Sequence, residues 1–210
     1  ISGMIPAPRL CHHWRHWPWT AVLLQINNLM TLKKNTPTWT DVKAKLLTLD
    51  QIAMVKLVQD LYAANKDNQV FLHSRFGLGD DPLKPYQVTI SRWLAPDIYR
   101  NQTYSVAKAK KAISDYRKAV GHPEGLTELM VHYCEEGFAF TQDVGLDDEG
   151  FLDSLVRMFV QALKGALALP EDKREVFLDR LSDVRVRSRD IGWGVGDDLQ
   201  ALWSRAGLDG

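Results

Sequence analysis

The chain has 210 residues, 45% of them hydrophobic, enough to bury one sizeable core and within the usual range of a single domain. Lysine and arginine total 26, as do aspartate and glutamate, so no net field draws in nucleic acid or an acidic membrane, and a charged partner must be met by a local patch. Cys11 and Cys134 lie far apart, with no metal-binding or disulfide-framework spacing, which fits free thiols in the cytoplasm; no apolar run approaches the roughly 18 residues of a membrane-spanning helix.

No acidic residue precedes Asp41, and Trp14, Trp17, Trp19 and Trp39 stand in this stretch. From Asp41 onward, 26 acidic residues face 22 basic ones. Residues 1–29 have no periodic face and no capping pattern, and Met30 opens a polar run, so 1–29 reads as a translated leader and 30–210 as a single helical domain. Cys11, His12, His13 and His16 offer zinc-ligand atoms, but they crowd into six residues without a second ligand pair, so they suggest adventitious binding only.

Thr38 with Asp41, and Thr48 with Gln51, have capping-box spacing and predict two helix starts. In the second helix Met54, Leu57, Val58 and Leu61 recur at i, i+3, i+4 and i+7, an apolar stripe expected to face a core. A third helix follows Asp67 and stops at Gly77, and Asp81-Pro82 reads as the N-cap and first residue of a fourth. Ala109, Ala112, Ile113, Tyr116 and Val120 stripe the next helix, from Ser105 to a stop at Gly121.

Pro123 opens a helix ending near Gly145, in which Gly137 lacks a side chain where a neighbour could approach closely. The stretch from Asp148 to Leu169 is apolar on two sides and is therefore central. Pro170 breaks it; a helix with Phe177, Leu181 and Val184 follows, and a last one carries Leu199, Leu202 and Trp203, with an aspartate after Gly194 placed to cap it. No strand pattern appears. About eight helices with short links predict an all-α fold, a compact bundle or a short stack of helical hairpins.

Three constellations could carry chemistry. Glu128, His132 and Glu135 share one helical face at spacings a metal could use, although a dinuclear bundle site also needs matching ligands from other helices. Lys108, Lys110, Lys111, Arg117 and Lys118 lie opposite an apolar stripe and could meet phosphates, and Arg185, Arg187 and Arg189 would extend that patch if the fold brought them alongside. Trp193, between Gly192 and Gly194, is either a core plug or an exposed contact, and the high mean burial of tryptophan favours the plug. Phosphate-binding loops, dinucleotide fingerprints, nucleophile elbows and zinc-protease motifs are missing, so no cofactor is expected and nothing argues positively for catalysis.

The order of short motifs, from Leu46-Leu47-Thr48-Leu49 through Ala107-Lys108-Ala109-Lys110-Lys111-Ala112-Ile113 and Glu128-Leu129-Met130 to Gly192-Trp193-Gly194, resembles a bacterial all-helical family, domain of unknown function 6155. The resemblance covers Thr38 to Trp203 and implies an all-α fold. It supplies no activity, ligand or catalytic residue. Its motifs fall on Ser105, Lys111, Tyr116, Glu128, Tyr133, Glu135, Gly137, Trp193 and Asp197. The expected function is a non-catalytic protein-interaction module that binds a protein partner or another copy of itself. A nucleic-acid-associated regulator using the basic helix face ranks second, and a carboxylate and histidine metal site third.

Overall fold

The computed structural model describes residues 36–209, so the expectations on residues 1–29, including the Cys11 to His16 cluster, lie outside the described residues. Among the described residues there are nine α-helices, two 3₁₀ turns and no strand, against the eight or so helices expected. No helix among them is long and apolar enough to cross a membrane.

Helix α1 spans Trp39–Leu46 and begins as its sequence predicts. The Asp41 carboxylate accepts from both the Thr38 backbone N–H and its hydroxyl, each at 2.8 Å, and the backbone bond foremost holds Asp41 below the usual carboxylate pKa. Helix α2, Gln51–Ala64, starts differently from expectation. Asp50 accepts the Ala53 N–H at 2.7 Å, while the Thr48 hydroxyl donates back to the Lys45 carbonyl at 2.7 Å. Thr48 therefore closes α1, and Asp50, whose charge suits a helix N-terminus, opens α2.

The described residues fall into two units, 36–56 and 57–209, with the boundary inside α2. In the described part of the first unit no residue of α1 is buried, and Trp39 is 69% exposed. Nor does α2 bury any residue along its length: Ile52 is 82%, Val55 62% and Leu61 52% exposed. Of the stripe expected to face a core, Met54 and Leu57 are half-buried, and Val58 and Leu61 are exposed. Periodicity reveals that a helix has an apolar face, not what covers it.

The second unit holds the core. Helix α3, Lys66–Phe76, is capped by Asn65, whose side chain accepts the Asn68 N–H at 2.8 Å, and it ends at Gly77. Helix α4 is Lys84–Leu94; Asp81 caps only the preceding turn through the Leu83 N–H at 2.8 Å, so Pro85, not Pro82, occupies the first turn. Helices α5, Val106–Ala119, and α6, Pro123–Val144, follow, then α7, Glu149–Leu167, α8, Glu171–Arg187, and α9, Val195–Arg205. Gly194, not an aspartate, stands at the α9 N-cap, and Asp197 and Asp198 lie in its first turn, opposing the helix dipole there.

Helix α6 is the centre of this unit, packed by α4, α5, α7 and α8. Its approach to α7 depends on Gly137, where an added Cβ would lie 2.3 Å from a methyl of the fully buried Leu155. Beside this contact the buried Tyr133 hydroxyl and Ser154 Oγ share a hydrogen bond of 2.9 Å, and burial pushes the Tyr133 pKa up to about 12. Cys134 is a buried free thiol whose pKa burial also raises.

Candidate functional site

Glu128, His132 and Glu135 lie on one face of α6, as their spacing requires, but a guanidinium is the cation that the two carboxylates serve. Arg180 of α8 reaches between the carboxylates: Nη1 donates to Glu128 Oε2 at 2.6 Å and Nη2 to Oε1 at 3.0 Å, while Nε and Nη2 donate to Glu135 at 2.8 and 2.7 Å. Glu135 first, then Glu128, raises the Arg180 pKa against the opposing effect of burial. His132 Nε2 pairs with Ser91 Oγ of α4 at 2.9 Å, and Gln87 donates to Glu128 at 3.5 Å.

This face is therefore a polar seam on which α4 and α8 dock. Among the described residues no three His, Cys, Asp or Glu side chains form a group able to hold a metal ion. The Arg180 partnership spans 45 and 52 residues, so local spacing carries no trace of it.

The basic residues of α5 divide between two neighbourhoods. Lys108, Lys111 and Lys118 border a cleft of about 670 Å³ floored by Val70, Phe71, Tyr86 and Trp93. Lys108 Nζ stands 3.7 Å from the Trp93 ring centre. Lys111 is tied to Asp115 at 2.5 Å and Asp67 at 3.3 Å, bonds that raise its pKa, with Asp115 the larger influence; Lys118 is 4.0 Å from Asp115. Lys110 is half-buried, and desolvation foremost, then Arg157 of α7, lowers its pKa. Arg117 is exposed. Arg185 turns to α9, its guanidinium 4.9 Å from the Trp203 ring centre and bonded to Gln200, and Arg187 pairs with Asp183 at 3.5 Å.

Trp193 corrects the core-plug expectation, because it is 59% exposed. Its φ is +61°, a left-handed conformation rare for a bulky residue, and it stands in the turn between the 3₁₀ turn Ser188–Asp190 and α9. The indole N–H donates to Asp147, at the other side of a hollow of about 440 Å³ that also includes Leu146, Leu152, Asp190 and Ile191. Two flanking glycines announced an unusual turn; they did not announce which way the indole would point.

No protein-family model, no curated protein and no solved structure matches this chain.

Proposed function

We propose that the protein is a non-catalytic helical interaction module of the cytoplasm, a compact bundle that presents α2 to a protein partner or to a second copy of the chain. The observation that carries this reading is the apolar stripe of α2, in which Val58 and Leu61 are each at least 40% exposed. Fully burying an exposed side chain of this size gains about 1.5–3 kcal/mol, and covering the exposed part of these gains about half of that each, a driving force for association. Family membership, suggested by the motif order, is part of the same reading. It draws support from the use of Tyr133, Glu128, Glu135 and Gly137 in helix seams.

The experiment is capture from native lysate with the full chain, before and after nuclease, comparing the parent with Val58→Glu/Leu61→Glu. A protein partner or second copy that survives nuclease and is lost with the double variant supports the module. Capture that the variant leaves unchanged removes α2 as the interface.

A nucleic-acid-associated regulator is the second reading. Lys108, Lys111 and Lys118 share one cleft with Phe71 and Trp93, a combination of cations and aromatic faces suited to a single strand. Asp67 and Asp115 offset two of the three charges, which ranks this reading below the first. Binding by phosphate contacts must weaken steeply with salt, with a log–log slope near −0.7 per contact on a single strand, and salt-insensitive or absent binding removes it.

A further inference from the structure

The turn around Trp193 combines three features that the helix-packing seams do not use. The first is backbone strain: among the described residues only Asn101 and Trp193 have positive φ without being glycine, and asparagine tolerates that region whereas tryptophan does not. The second is an aromatic ring held at the mouth of a hollow by its bond to Asp147 and left 59% exposed.

The third is charge. The segments 143–149 and 190–198, which supply Gly145, Leu146, Asp147, Asp190, Ile191, Gly192 and Trp193 to the hollow, contain Asp143, Asp147, Asp148, Glu149, Asp190, Asp197 and Asp198 and no lysine, arginine or histidine. Of the basic residues just before this stretch, Arg187 is already paired with Asp183 at 3.5 Å and Arg189 is exposed. Two of these carboxylates, Asp147 and Asp190, line the hollow beside Trp193, and its lining includes no basic residue.

We propose that the Trp193 hollow is a docking site for an arginine side chain carried by a basic peptide segment of a partner protein. A guanidinium is flat and weakly hydrated. It can lie against an indole face while its N–H fork donates to a carboxylate, which an ammonium does less well because it is a compact, strongly hydrated point charge. Asp147 and Asp190 supply the acceptors, and the apolar Leu152 and Ile191, which line the same hollow, suit the methylene stem. This site is separate from the α2 stripe and does not depend on it.

The test is calorimetric titration of the full chain, at low and at physiological salt, with three blocked octapeptides rich in arginine, lysine or glutamate. Trp193→Gly removes the ring at a position whose backbone glycine adopts freely, so the fold is retained, and thermal unfolding checks this. Asp190→Asn removes an acceptor, and Asp172→Asn, in the first turn of α8, is the control for non-specific charge.

The arginine peptide is expected to bind more tightly than the lysine peptide, the glutamate peptide not at all, and Trp193→Gly and Asp190→Asn each to weaken binding about tenfold while Asp172→Asn changes nothing. Equal affinity for arginine and lysine, equal loss in all three variants, or no binding overturns the proposal. So does a change in self-association without a change in peptide affinity, since a second copy would then be the occupant.

Discussion

Arg180 meets Glu135 side-on, Nε to Oε1 at 2.8 Å and Nη2 to Oε2 at 2.7 Å, and the same guanidinium holds Glu128 with its remaining donors. One cation thereby fixes α8 to two points on α6 about two turns apart. The side chains of the cluster are each between a fifth and about a third exposed, so solvent weakens the attraction without removing it. Arg180→Ala leaves two carboxylates facing one another and is expected to cost about 2 kcal/mol in urea denaturation, after allowing for screening. Adding Glu135→Gln to that variant should recover part of the loss. A cost below about 0.5 kcal/mol would mark the clamp as an ordinary surface pair.

Gly137 marks a close approach of α6 and α7. An alanine there places its Cβ 2.3 Å from one Leu155 methyl and 3.3 Å from the other, in a site with no exposed surface into which Leu155 can move. Gly137→Ala is expected to destabilise by about 1–3 kcal/mol despite the better helix propensity of alanine. In a double-mutant cycle, Leu155→Val should cost less in the Gly137→Ala background than alone. Strict additivity would mean that the two helices separate instead of clashing.

Tyr133 and Ser154 satisfy one another inside the core at 2.9 Å. Tyr133→Phe strands a buried serine hydroxyl and should cost about 1–2 kcal/mol, whereas Tyr133→Phe/Ser154→Ala removes both polar groups and should cost less than the sum of the single changes. Calorimetric melting of the four proteins measures the coupling.

Asp148 caps α7, accepting from the Phe151 N–H at 2.7 Å and from the Tyr104 hydroxyl at 2.7 Å. The Phe151 bond first and the Tyr104 bond second lower its pKa from the ordinary 3.8. A carboxyl whose folded-state pKa is depressed contributes stability that is present above its unfolded pKa and lost as pH falls through the folded value. The parent's advantage over Asp148→Asn should therefore be complete at neutral pH and shrink below pH 3.8, as followed by acid titration of far-ultraviolet dichroism. Parallel curves through that range would show that the cap is not read by its charge.

The parts of the fold that local chemistry decides are visible in the sequence. Thr38 and Asp41 form their capping box, Ser105 and Asp148 accept at the starts of α5 and α7, and Gly77 and Gly145 take left-handed backbone at helix ends. The close approach at Gly137 follows from a glycine on an apolar helix face. What the local sequence does not carry depends on distant partners. The face of Glu128, His132 and Glu135 suggests a cation from its spacing alone, but only the fold brings Arg180 and Ser91 to it. Thr48 and Asp50 were competing caps two residues apart, and the carboxylate took the helix N-terminus. The exposure of α2 and of Trp193 depends on which neighbours cover them, and hydrophobicity does not encode that.

The α2 interface is tested most directly by placing a photoreactive amino acid, in separate full-length proteins, at position 58 on the apolar stripe and at position 60, nearly opposite on the same helix, and irradiating in cells. Residues two apart do not share a helix face, so the pair separates contact through the stripe from general proximity to α2. The account predicts a discrete cross-linked protein product, to a partner or to a second copy, from position 58 and none from position 60. Equal products from both positions, or none from position 58, would contradict it.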